Sequence, residues 1–193
     1  MTTQEATPAI PDDIGITLLV GPEKTVEEFR VLARGLGLHC HQKVDRPESG
    51  LTEHWISKDA SQVVSWMTER WVDSTFLWIR GKGWAACEKK LRKNLACLAL
   101  AELASRLLTL DVDHDAWVAC LFWIAYMGRG NTGGPIQVEV FDRAIADPRP
   151  NLRLAAIGAW RMRSWPKWRD RVEKAAAEDP DPEVRAEAAK VLR

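Results

Sequence analysis

DPRPNLRLAAIGAW, residues 147–160, and DPDPEVRAEAAKVL, residues 179–192, lie 32 positions apart and share Asp, Pro, Pro, Arg and Ala in register. Both open as helices open. An aspartate there accepts N–H groups of the first turn, and a proline loses nothing because it has no N–H to satisfy. DVDHDAWVACLFWI, residues 111–124, aligns with 147–160 at an offset of 36, with Trp117 standing where the arginine would be. A period of this length, built from paired helices, predicts an α-solenoid, in which each pair buries its apolar face against the next.

The pattern D-P-x-P-x-[LV]-R-x-x-A resembles the HEAT repeat, in particular the bacterial variety named after phycobiliprotein lyases. The resemblance covers about residues 86–193 and is strongest from 141 onward. It implies that Asp147 and Asp179 each cap the turn between the two helices of a repeat. It also implies that Arg153 and Arg185 join a polar ladder between adjacent repeats, broken in the first repeat by Trp117. Three helix pairs are expected: 85–109 with 114–127, 136–146 with 151–163, and 166–177 with 182–193. The helix over 114–127 is apolar almost all round, so no side of it is expected to face water.

Upstream the pattern changes. Residues 1–13 read as a disordered tail and 14–84 as a small α/β domain. ITLLV (16–20) is a strand that stops at Gly21-Pro22, and Thr25 with Glu28 has the spacing of a capping box at the start of a helix. LHCHQKV (38–44) and LTEHWIS (51–57) form a hairpin around DRPESG, paired as 44 opposite 51. In SQVVSWMTERW, Val63, Val64, Met67 and Trp71 make an apolar stripe that predicts a second helix, and FLWIR (76–80) is the last strand. The expected fold is therefore α+β. A ferredoxin-like β-α-β-β-α-β sandwich packs on a solenoid of about three helix pairs over 85–193.

Composition excludes some partners. Lys+Arg and Asp+Glu both number 27, so the whole chain carries no field that selects a polyanion. The asymmetry is mild: residues 141–193 hold 12 basic and 9 acidic side chains, residues 1–85 hold 9 and 12. The longest apolar runs, 117–127 and 95–101, fall short of the roughly 20 residues of a spanning helix, so no membrane partner is expected. The start has no basic and apolar leader, and the four cysteines form no C-x-x-C pair. Reduced thiols in a cytoplasmic protein follow.

Motifs for chemistry are sparse. His39, His41 and His54 gather near one strand face in the assumed register and are the candidate metal ligands. No carboxylate or thiolate completes them, so the reading is of solvated histidines, with no metal and no cofactor. RGKGW (80–84) runs strand, glycine turn, helix, but lacks the spacing of a phosphate loop, and an ordinary turn before a basic helix face (Lys89, Lys90, Arg92, Lys93) is preferred. Asp111, Asp113 and Asp115 lack the remainder of a calcium loop and read as helix caps. No catalytic residue is assigned.

WRMRSWPKWRDR (160–171) is the strip that suggests binding. Trp160 aligns with Leu192 and is expected in the core, as is Trp168, with Ser164 capping the helix that Pro166 opens. Arg161, Arg163, Trp165, Lys167, Arg169 and Arg171 remain as the candidate surface, suited to an acidic protein segment or, less well, to a phosphate backbone. Three functions stay open: a protein-binding adaptor; a nucleic-acid-binding protein akin to the HEAT-like alkylpurine DNA glycosylases; and a lyase-like or maturation factor, implied by the repeat family alone.

Overall fold

A computed structural model describes residues 15–110, 113–128 and 134–193. The tail expected over 1–13 and Asp111 lie outside the described residues. The chain divides into two compact units, the first ending at Leu98 and the second beginning at Ala99.

The first unit is a sheet with two helices. Its order is β1 (Gly15–Leu19), α1 (Val26–Gly35), β2 (Leu38–Arg46), β3 (Gly50–Ser57), β4 (Gln62–Glu69), β5 (Ser74–Gly81) and α2 (Trp84–Leu95). The strands lie side by side as β2-β3-β4-β5-β1, antiparallel at each pairing, and the two-residue β6 (Leu98–Ala99) follows β1 at the edge. The capping box is present: Thr25 Oγ1 accepts the Glu28 N–H at 3.3 Å, and the Glu28 carboxylate accepts the Thr25 N–H at 2.8 Å.

Three expectations for this unit are corrected. The stretch 62–69 is strand β4, not a helix, so the order is β-α-β-β-β-β-α and not ferredoxin-like. Val63, Val64, Ser65, Trp66 and Met67 are all buried there. A strand covered on both faces is apolar continuously, and such a run also satisfies a helical template. The domain boundary falls at 98/99 and not at 84/85, because α2 packs on β1 and β5 and buries Cys87, Leu91 and Leu95. Finally, the long helix over 85–109 is broken. Ala96 takes a left-handed backbone (φ 48°), and the Leu95 carbonyl accepts the Gly21 N–H at 3.4 Å.

The second unit is helical, with α3 (Leu100–Thr109), α4 (His114–Met127), α5 (Pro135–Ile145), α6 (Pro150–Arg161), α7 (Arg169–Glu178) and α8 (Pro182–Val191). Successive helices pack in pairs, α3 on α4, α5 on α6 and α7 on α8, while α6 also touches both α4 and α8. Asp113 caps α4 by accepting the Ala116 N–H at 2.8 Å, and Asp181 caps α8 through Glu183 and Val184. Leu121, Ile124, Phe141, Ile157, Trp168 and Val184 form the dry centre, each 0% exposed. The chain is thus of mixed α+β class. Among the described residues, no helix is long and apolar enough to cross a membrane.

Candidate interaction surface

The repeated aspartates and arginines do structural work. Asp147 accepts the Arg149 N–H at 2.9 Å, and Asp179 accepts the Asp181 N–H at the same distance, each closing the turn before a helix. Arg153 of α6, only 7% exposed, joins one turn to the next. Its Nε and Nη2 donate to the two carboxylate oxygens of Asp179, both at 2.9 Å, and Nη1 donates to the carbonyls of Asp147 and Pro148. Burial pushes the Asp179 carboxyl up, but the hydrogen bonds from Arg153 and the Asp181 N–H outweigh it and hold the group below the usual carboxylate range. Asp147, with Trp117 at the arginine position before it, is instead gripped by Arg149 of its own turn, at 2.8 and 2.9 Å.

The basic strip divides further than its sequence suggests. Trp160 and Trp168 are buried, at 2% and 0% exposed, as their register implies. Trp165 is buried as well, at 4%, so it is removed from the candidate surface. Its ring meets Phe141 edge-on at 5.1 Å, and its carbonyl accepts the Trp160 indole N–H at 3.1 Å. Arg163 is half-buried and donates to the carbonyls of Ala125 and Tyr126 at 2.7 and 3.1 Å, satisfying the C-terminal end of α4. Arg171 pairs with Asp142, Arg169 with Glu173 one turn on, and Arg161 with Glu187 at 3.7 Å. Lys167 is exposed. Ser164 caps nothing: it takes a left-handed backbone (φ 46°) before a short 3-10 turn at Pro166–Trp168, and α7 starts only at Arg169. What the strip offers outward is Arg161, Lys167 and Arg169.

The histidines do not converge. Val44 pairs with Thr52, one residue off the assumed register, and a bulge between Cys40 and Gln42 takes up the difference, so that Gln42 faces His54. Among the described residues no group of three metal-ligating side chains forms. His54 instead contacts Ser65 Oγ through Nδ1 at 2.7 Å, and burial, with Arg80 and His41, holds its pKa low. Ser65 is 0% exposed, which denies this Ser–His pair a substrate. Glu53, at 1% exposed, is a carboxylate held by Arg30, by the Trp55 indole N–H at 3.1 Å and by Lys43 at 3.7 Å. Its acceptor sites are occupied, so it anchors α1 to the sheet. The thiols of Cys87, Cys97 and Cys120 are pushed by burial to about 11, 12 and 11, which makes them inert.

Two concave surfaces stand out among the described residues of the second unit, and one of them, about 550 Å³, lies beside the Arg153–Asp179 pair and is lined by Ile145, Pro148, Arg171, Lys174 and Glu178 among others. The other, a groove of about 510 Å³, crosses α4, α6 and α8, lined by Val118, Phe122, Leu154, Gly158, Glu183 and Lys190 among others. Phe122 forms its apolar wall, and a Cβ at Gly158 would meet that ring at 3.4 Å, an ordinary van der Waals contact, so a longer side chain there would extend along the groove. Glu187 also lines it and pairs with both Arg161 and Lys190, placing Arg161 of the basic strip at the rim. Val118 and Phe122 are not marked as site residues by their sequence: the apolar pattern of α4 predicts that no side of it faces water, whereas both are half-exposed and border the groove. The available signal was the lack of any charged residue after Asp115 in a helix that still has one uncovered stripe. Comparison with protein-family models, with curated proteins and with solved structures finds no match to this chain.

Proposed function

We propose that this chain is a non-catalytic protein-interaction module, a short solenoid of HEAT-like repeats of the bacterial phycobiliprotein-lyase type. It holds a segment of a partner protein in the groove across α4, α6 and α8. The observation that carries the reading is the groove itself: an apolar centre at Val118, Phe122 and Leu154, with charged side chains at its rim. Interfaces are built in this way, with a dry anchor site inside a polar ring. The repeat pattern supports the solenoid, and the Arg153–Asp179 pair supplies a rigid link between adjacent turns. A suitable segment places one or two apolar side chains against Phe122 and a carboxylate near Arg161 or Lys190.

The nucleic-acid reading is weaker, because Arg163 and Arg171 are engaged with the protein itself, and the lyase-like reading has no residue set to carry a reaction. The test is Gly158→Leu, which fills the groove against Phe122 without disturbing a turn. A partner that co-purifies at one-to-one stoichiometry with the wild type should be lost from this variant, with the melting transition retained. Recovery of nucleic acid alone, or equal recovery of the partner by both forms, overturns the proposal.

A further inference from the structure

β2 stands at one end of the strand order, and its outer edge hydrogen-bonds no other strand or helix among the described residues. An uncovered edge carries N–H and C=O groups ready to pair, and proteins blunt such edges with bulges and charges. Both devices are present on β2. The bulge between Cys40 and Gln42 interrupts the strand and leaves Gln42–Arg46 as its regular stretch. Along that stretch Lys43, Asp45 and Arg46 are exposed, and Gln42 and Val44 are half-exposed. Lys43 reaches Glu53 at 3.7 Å, whereas Asp45 has no ion-pair partner among the described residues. Lys43 and Asp45 lie opposite Glu53 and Leu51 of β3 and share their face, while Val44 lies opposite Thr52 on the other.

We propose that the edge of β2 is a homodimer contact, in which Gln42–Arg46 pairs antiparallel with the same stretch of a second copy. The charges decide the occupant. A two-fold axis perpendicular to a sheet reverses a strand and keeps its faces, so each residue meets one from its own face. An axis at Lys43, Asp45 or Arg46 sets like charges directly opposite each other, which destabilises a pairing. An axis at Gln42 runs the pairing into the bulge. An axis at Val44 avoids both faults: Val44 meets Val44, Lys43 meets Asp45 twice, and Gln42 meets Arg46 twice. A lysine that repels most strands is therefore matched by the aspartate two positions on in its own sequence. Main-chain hydrogen bonds supply the attraction, and the two Lys43–Asp45 pairs fix the register. The contact lies in the first unit and goes beyond the groove reading.

The experiment follows the full chain by analytical ultracentrifugation as its concentration rises, and the wild type should pass from monomer to dimer. Asp45→Lys, an exposed change that should leave the melting transition in place, should weaken the dimer about tenfold or more, because both cross-strand pairs turn repulsive. Added salt should weaken the wild-type dimer and strengthen that of Asp45→Lys, since screening acts on attraction and repulsion alike. Cysteines read the register. In a Cys40→Ser background, which removes the exposed native thiol, Val44→Cys should oxidise to an intermolecular disulfide. Its two Cα atoms lie about 4.5–5.5 Å apart across the axis, within reach of such a bridge. Gln42→Cys should not bridge, because its two copies stand about 13 Å apart along the strands. A chain that stays monomeric, a dimer indifferent to Asp45→Lys, or equal bridging by the two cysteine variants overturns the inference. The groove reading fails separately: its partner is tested by Gly158→Leu, which should leave the dimer unchanged.

Discussion

Arg163 and Lys167 sit four positions apart in one basic strip, yet they should respond differently to removal. Arg163→Ala deprives the carbonyls of Ala125 and Tyr126 of their donor and should cost about 2 kcal/mol, the usual size for hydrogen bonds to a charged group. Lys167→Ala, on the surface, should stay within about 0.5 kcal/mol. Trp165→Ala should cost about 3–5 kcal/mol as a core truncation. Urea midpoints of the three variants check this ordering, and a Lys167 effect as large as that of Arg163 would contradict it. Trp160 and Trp168 were legible as core residues because repeat register and helical spacing placed them. Trp165 was not, because it lies in a turn and its burial depends on Phe141 from α5, a contact that no local pattern encodes. Charge reversal at Arg163 would consequently damage the fold rather than probe a binding surface.

Among the elements, the link between the α5–α6 and α7–α8 turns carries a clear pH signature. Asp179 has a carboxyl held below its unfolded value, so its contribution is complete above the unfolded pKa of about 3.9 and is lost as pH falls through the lower, folded pKa. Stability measured from pH 6 downward should therefore decline in the wild type and decline less steeply in Asp179→Asn. At neutral pH the same substitution should cost about 3 kcal/mol, because it leaves the buried Arg153 without its counter-charge. Identical acid profiles for the two proteins would remove the ion pair from the account. Both residues were legible in the sequence, since the repeat named them and the capping logic of aspartate and proline explained the turn. Strand β4 was not legible: Val63, Val64, Met67 and Trp71 fit a helix, and only the burial of Ser65 and Trp66 along with them reveals a strand covered on both faces. The hairpin register was out by one residue for a related reason. The chain turns through Pro47, Glu48 and Ser49 between Arg46 and Gly50, and the bulge at His41 restores the pairing further along.

At the scale of the whole molecule, the chain places its recognisable chemistry in structural roles. Glu53, Arg153, Arg163 and Asp179 are each committed to holding one element to another. The groove that the proposed function uses lies where the sequence looked most buried, on the stripe of α4 that carries Val118 and Phe122. Amine-reactive cross-linking of the chain in its native complex tests this directly, because Lys190 stands at the groove rim and is exposed. Links to the partner should form at Lys190, and Gly158→Leu should abolish them. A complex whose links arise only from Lys89, Lys90 and Lys93 of α2, unchanged by that substitution, would contradict it.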